Sequence, residues 1–349
     1  MTTLPTSNTI LPSGTDPAWV ITLFSFTGAL LEARQRPDEI LTAVLEDGLA
    51  RGIEIDAPQH FRSYPAFDDA ELGRTRDVLE RYGARLNVLG CYHDASPAAG
   101  VFLNHNQGVD LLERQIRAAR RLGAWGVRLG LGYVPEPVLT ALVPVLEATG
   151  IVWVEEVQGP CRPDSEQLRR RLELVGSLPT DRVRFLLDLS LCMPALPTSY
   201  VEALHRHGAG PALIDRLLDA WNAADHRAVT ALLRAELDAA ASPQLAALYV
   251  TPLTRFGCTT VADWRWFLPN VAAVHLKYWD LNDRDGAVST PIRDLRAALA
   301  DVGFTGTFCS EWGGHEWMPH ADPAAMTRGH RHLFDAAAPD RHSNVRADG

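Results

Sequence analysis

Short apolar runs alternate along the chain with longer stretches whose apolar positions recur every three to four residues. The short runs predict β-strands at residues 19–25, 52–56, 85–90, 126–131, 151–158, 183–190, 271–278 and 306–311. The stretches between them predict amphipathic helices at 37–50, 69–82, 107–122, 135–149, 164–178 and 292–302. Gly52, Gly83, Gly123, Gly150 and Gly303 stand just before the following strands, where a left-handed residue closes a helix cheaply. Repeated strand-then-helix units predict a parallel sheet covered by helices. Strand starts fall 25 to 41 residues apart, except for one interval of 88 residues between the sixth and seventh. The excess, residues 191–270, carries a Pro-rich exit, more helical text (PALIDRLLDAWNAA, HRAVTALLRAELDAA, SPQLAALYV) and a Trp-rich end, DWRWF. Eight such units with one long excursion at a βα loop predict an α/β fold, a (β/α)8 TIM barrel with a helical insertion between strands 6 and 7. The expected organisation is a flexible tail over 1–16, a single barrel over 17–336 with residues 191–270 above its catalytic face, and a flexible tail over 337–349. The first turn, FSFTGAL, lacks G-x-G-x-x-G, which disfavours a doubly wound sheet and a nucleotide cofactor.

Barrel strands should be apolar inside, because a buried charge must be paired or bind a cation. Four strands break this rule at their C-terminal ends, the face that carries chemistry in such barrels. Strand 5 reads IVWVEEVQ, and period two puts Val152, Val154, Glu156 and Gln158 on one face, with Glu155 turned toward the helix layer. Strand 6 ends in Asp188, strand 7 carries His275 and Lys277 on one face, and strand 8 ends in Glu311. Glu156, Asp188, His275 and Glu311 at one rim would make a site of three carboxylates and one imidazole. Such a site suits a divalent metal, Mn²⁺ first, with Mg²⁺, Co²⁺ or Zn²⁺ as alternatives. The bland reading of each residue is a helix cap or an Arg partner; their joint placement favours the metal.

Composition narrows the partners. The 349 residues are 46% hydrophobic and 22% charged, enough to bury a core without disulfide help. A formal net charge of -10 argues against tracking a phosphate backbone, so no nucleic acid is expected. The five scattered cysteines show no C-x-x-C spacing, as expected of a reduced, cytoplasmic protein. No apolar run is long enough to cross a membrane, and the Thr/Pro/Ser/Gly-rich start does not read as a signal peptide.

The tetrad Glu156, Asp188, His275 and Glu311 on strands 5 to 8 resembles the metal site of the xylose-isomerase-like barrels, the sugar phosphate isomerase/epimerase superfamily. In that superfamily a metal holds two vicinal carbohydrate oxygens while two glutamates exchange a proton beside the carbonyl. A narrower set of segments is similar to the large, alpha catalytic subunit of C-glycoside deglycosidases: LFSFTGALLE, GIEIDAPQHFRSYP, LGCYHD, EVQGP, and SEWGGHEW with RGHRHLF. That resemblance implies a 3-oxo sugar joined through carbon to an aglycone, cleavage by β-elimination, and a small beta subunit as partner. Gln158 stands where many such relatives have His, and Leu191 where ketose 3-epimerases tend to have His. Both departures leave the particular reaction open.

The resulting expectation is a metal-dependent lyase, or an isomerase, epimerase or dehydratase of the same superfamily, acting on a small carbohydrate or glycoside, in an oligomeric assembly. Glu156 and Glu311 are the expected bases, Lys277 a group that neutralises an alkoxide, and His93 a proton donor. Gln158, His105, Tyr92, Trp279 and Trp312 are the expected substrate contacts, the aromatic rings by stacking. His315, His320, His330 and His332 show no HExxH spacing, and the last two are expected on the surface of the final helix. A catalytically silent sugar-binding barrel is the competing expectation. An endonuclease of the superfamily would need a basic groove and further His ligands, which the charge and the strand ends disfavour.

Overall fold

In the computed structural model, which describes residues 19–337, every predicted strand is present. They are β1 (Trp19–Thr22), β2 (Gly52–Asp56), β3 (Arg85–Gly90), β4 (Gly126–Gly130), β5 (Val152–Val157), β6 (Val183–Asp188), β7 (Val271–Tyr278) and β8 (Thr307–Trp312). All neighbours pair in parallel in sequence order, and Val20 facing Cys309 closes the barrel. The fold is therefore a (β/α)8 TIM barrel. Both faces of the strands are covered, so β5 and β8 are buried at every position. On the inner face Val88, Val152, Val154, Leu186 and Ala273 form a small apolar cluster beneath the polar rim. The residues expected to form the two tails lie almost wholly outside the described part of the chain.

Element ends differ from the sequence reading where a side chain caps the backbone. Residues 23–25 leave the first strand as a 3₁₀ turn because Thr22 Oγ1 accepts from Phe24 N, 3.1 Å away. β6 stops at Asp188 for the same reason, with Ser190 N donating to Asp188 Oδ1 at 2.8 Å. The helix at His105–Arg121 starts two residues early, fixed by a reciprocal pair between Asn104 and Gln107. The helix at Pro37–Glu46 ends early, because Gly48 at φ +66° makes the left-handed turn; Gly52 opens β2 instead.

The insertion folds as four helices, Thr198–Arg206, Pro211–Asn222, His226–Leu237 and Pro243–Thr254, before the short helix Val261–Trp264. Its apolar faces build a second core around Tyr200, Trp221 and Phe256, which Trp279 and Trp317 from the barrel loops join. The rings meet edge to face, Phe256 and Trp279 at 4.6 Å between centroids. The segment between Ser190 and Met193 pairs with the returning chain through a single bridge, Met193 N donating to Gly257 O at 2.9 Å and Thr259 N to Leu191 O at 3.0 Å. This seam ties the insertion to the rim beside Asp188.

One surface expectation is corrected. His330 is fully buried: its Nδ1 lies 2.8 Å from Ser310 Oγ, and its ring stacks on Tyr278 at 3.8 Å. The final helix turns this histidine toward the outer face of β8, while His332 is exposed. Glu155 faces outward as expected, clamped by the buried Arg171 of the helix Glu166–Ser177. No described helix is long and apolar enough to cross a membrane.

Candidate active site

Period two sends Glu156, Asp188, His275, Lys277 and Glu311 to the barrel axis, and strand register sets them in adjacent layers near the rim. Asp188 is paired with His275 and Lys277 with Glu311. One ligand atom from each of Glu156, Asp188, His275 and Glu311 lies within 4.8 Å of the other three, and all four residues are buried. Sequence reasoning missed three further members. Glu54 and Asp56 reach the axis from β2, and Arg128 from β4. Arg128 donates to Glu156 Oε2 and to Asp56 Oδ1, both at 2.6 Å, which ties β4 to its neighbour β5 and, across β3, to β2 at the rim. The signal was present: GIEID carries two acids at the same alternation as EEVQ, and Arg128 is the one charge in the run GVRLGLG.

His275 is the centre of the cluster. Its Nε2 lies 2.9 Å from Glu54 Oε2, and its Nδ1 lies 2.9 Å from Glu156 Oε1 and 2.5 Å from Glu311 Oε2. Lys277 Nζ donates to Glu311 Oε1 at 2.5 Å. Burial works against charge on every one of these groups, and the pairings decide the outcome. Burial raises the Glu156 carboxyl, but Arg128 and His275 outweigh it and hold it at about 2. Glu311 is likewise held well below its ordinary range, by Lys277 and His275. Asp188 goes the other way: burial, reinforced by Glu311 and Glu156, pushes it up to about 7.

Among the buried polar atoms of the described residues that make no hydrogen bond of ordinary geometry, four sit together: Glu156 Oε1, Asp188 Oδ2, His275 Nδ1 and Glu311 Oε2, the imidazole nitrogen being ion-paired with both glutamate oxygens. Each belongs to a different strand, and they face one another. Orphaned buried polar atoms are costly, so four converging on one point form a site that fits a cation. Three carboxylates and one imidazole suit a divalent ion of the first transition row or Mg²⁺. A second triple, Glu54, His275 and Cys309, is also close together. Burial and the nearby carboxylates keep the Cys309 thiol far above its ordinary range, and Glu54 is already engaged by His275, so that triple does not suit a metal.

Above the cluster opens a cavity of about 970 Å³. Glu156, Glu311, Lys277, Gln158, Tyr92 and His93 line it, so these sequence-predicted residues come together. The end of the insertion, Leu253 to Arg255, supplies one wall. Three of the expected substrate contacts are not brought there. His105 stands exposed at the first turn of its helix and takes no part in the lining. Trp312 is buried with its Nε1 donating to Trp279 O at 2.8 Å, and Trp279 packs into the second core. Burial keeps the His93 imidazole below its ordinary range.

No family model matches the chain. A C-glycoside deglycosidase alpha subunit of Microbacterium trichothecenolyticum is 29% identical over 315 residues, covering 86% of this chain and 84% of that one. The chain resembles the C-glycoside deglycosidase alpha subunits along most of its length. A 3'-dehydrocarminate deglycosidase alpha subunit of a Microbacterium species is 23% identical over 321 residues, 89% of this chain and 92% of the other. A sugar phosphate isomerase/epimerase structure from Parabacteroides distasonis covers 96% of this chain and 99% of its own, at a TM-score of 0.53 and 11% identity. The expected resemblance to deglycosidase alpha subunits is thus found, and the structural likeness bears out the barrel fold.

Proposed function

We propose that this chain is a carbohydrate-processing enzyme that binds one divalent ion and removes a proton beside the carbonyl of a 3-oxo sugar, splitting a C-glycoside by β-elimination. The observation that carries the proposal is the set of four converging ligand atoms of Glu156, Asp188, His275 and Glu311, within 4.8 Å of one another beneath a large cavity. The names of the relatives support deglycosylation and pairing with a second subunit.

An ion held by these four residues would draw electron density from the substrate carbonyl and so make the adjacent C–H more acidic. The remaining work falls to the chain. Glu156 and Glu311 reach both the ligand cluster and the cavity, and their ionisation is protected by Arg128 and Lys277, so they are the bases that accept the carbon-bound proton. The released electron pair forms a double bond to the anomeric carbon, and the bond from that carbon to the aglycone breaks. The departing aglycone carbon takes up one proton, for which the imidazolium form of His93, lining the cavity and made more acidic by burial, is the donor. Leu191 is fully buried and offers the cavity no polar group, which speaks against the ketose 3-epimerase arrangement.

The test is metal analysis followed by product analysis with 3-oxo-C-glycosides, with the second subunit supplied. About one divalent ion per chain and release of free aglycone are expected, and both are lost in E156Q and E311Q while circular dichroism is unchanged. Full turnover in either variant, or an epimerised glycoside as the sole product, would overturn the reading.

A further inference from the structure

A second cavity, of about 190 Å³, lies between the chain leaving β6, the chain leaving β7 and the helix Ser289–Asp301. Among the described residues Lys277 alone lines both this cavity and the larger one. Leu189, which directly follows Asp188 of the ligand cluster, is part of its wall as well. Met193, Leu196, Val288 and Ile292 make the interior apolar, and Trp279 and His330 add two buried rings. The polar side chains at its edge are satisfied among themselves. Asp280 accepts from Ser199 N at 2.8 Å and from Asn282 N at 3.0 Å, and Asn282 Nδ2 donates to Thr198 Oγ1 at 2.8 Å. Lys277 Nζ is held by Glu311, while Arg284 and Asp285, side by side and opposite in charge, have side chains 86% and 94% exposed to water. None of these groups needs a charged ligand, and a charge carried inside would lose its hydration without gaining a partner. Two polar atoms of the buried rings, by contrast, make no hydrogen bond: Trp279 Nε1 and His330 Nε2. Such atoms are costly to leave unpaired, and a hydroxyl can accept from an indole N–H or pair with an imidazole nitrogen. The space suits a single ring, since an apolar cavity of roughly 150 Å³ holds benzene.

We propose that this second cavity binds a small uncharged ring compound bearing one hydroxyl, and that its occupancy is felt at the ligand cluster through Lys277. Two of its walls continue from the strands that carry Asp188 and His275, so an occupant that holds them in place reduces the ordering that a cation must impose. Such coupling is positive and reciprocal. The site stands apart from the proposed function; the coupling rests on it. The test is a fluorine NMR titration of the whole chain at neutral pH with 4-fluorophenol, with 4-fluorotoluene and with 4-fluorobenzylammonium. The phenol, uncharged under these conditions, is expected to bind saturably with a Kd below about 1 mM, about fivefold more tightly than the toluene, the worth of one hydrogen bond. The ammonium should not bind. A287W and A195W each add an indole to the lining from a different segment and abolish binding, while Y133A, in the wall of the larger cavity, leaves it unchanged. With 4-fluorophenol at saturation, calorimetry should find Mn²⁺ bound about fivefold more tightly. No saturable binding, a phenol that binds no better than the toluene, or binding that survives in A287W and A195W with unchanged circular dichroism, overturns the site. Unchanged Mn²⁺ affinity overturns the coupling alone. A chain that binds no Mn²⁺ at all sinks the proposed function and the coupling with it, while the fluorophenol titrations still decide the site.

Discussion

His275 and Glu54, 221 residues apart in sequence, meet inside the barrel with Nε2 2.9 Å from Oε2. The contact is one link in a buried chain: Trp125 Nε1 donates to Asn87 Oδ1 at 2.8 Å, and Asn87 Nδ2 donates to Glu54 Oε1 at 3.0 Å. Glu54 therefore accepts on both oxygens. With its Nε2 proton committed to Glu54, His275 turns Nδ1 toward Glu156 and Glu311, and a bound cation would take the place of the Nδ1 proton that these carboxylates otherwise hold. This is how a carboxylate behind a ligand histidine fixes its tautomer.

E54Q tests that role. The amide cannot accept from both Asn87 and His275, so it turns a donor toward one of them and drives the imidazole proton to Nδ1. Affinity for Mn²⁺ is expected to fall about 10- to 100-fold, the usual cost of losing such a partner. Calorimetric titration of the metal-stripped chain reads this directly. Unchanged affinity in a folded E54Q protein would mean that Glu54 does not set the tautomer.

The barrel was legible because each strand is a short apolar run bounded by turn residues, and the tetrad because a charge at a strand end violates barrel chemistry. Glu54, Asp56 and Arg128 obey the same alternation, yet they were overlooked because their meaning is relational. Arg128 becomes a rim clamp only when the curled sheet brings Asp56 of β2, two strands away, and Glu156 of β5 within its reach. His330 was misjudged for a related reason. RGHRHLF fits an exposed helix as well as a buried one, and only docking on Ser310 and Tyr278 decides which face is inside. The aromatic candidates Trp279 and Trp312 failed because proximity in sequence to a site residue does not give the direction of the ring.

The pair Glu155 and Arg171 makes the outward face of β5 a stability element. Arg171 Nε donates to Glu155 Oε2 at 2.6 Å, and Nη2 reaches both Glu155 Oε1 and, at 3.0 Å, Val134 O; both side chains are almost fully buried. R171M strands a buried carboxylate and is expected to lower unfolding free energy by about 3–5 kcal/mol. The double variant E155L/R171M, which removes both charges, should recover most of that loss. Urea denaturation of the three proteins checks this, and a double variant as unstable as R171M would show that the charge pair itself holds helix to strand.

Two buried histidines outside the site make the fold acid-sensitive. His60, with Nε2 3.0 Å from Thr75 Oγ1, is pushed by burial down to about 4, and His330, likewise by burial, to about 3. In the unfolded chain each returns to about 6.5. The unfolded state therefore takes up protons below pH 6.5 that the folded state refuses. The stability these groups contribute is complete above pH 6.5 and drains as pH falls toward 4 for His60 and 3 for His330, by about 1.4 kcal/mol per pH unit for each. Between pH 7 and pH 5 one such histidine accounts for about 2 kcal/mol. H330N keeps a polar partner for Ser310 Oγ but cannot titrate, so its unfolding free energy should fall by about 2 kcal/mol less than that of the wild type over this interval, and H60N should behave alike. Comparing each variant with the wild type cancels the contribution of the metal-ligand cluster, common to all three. Parallel pH profiles in urea titrations of the three proteins would refute the assignment of acid sensitivity to His60 and His330.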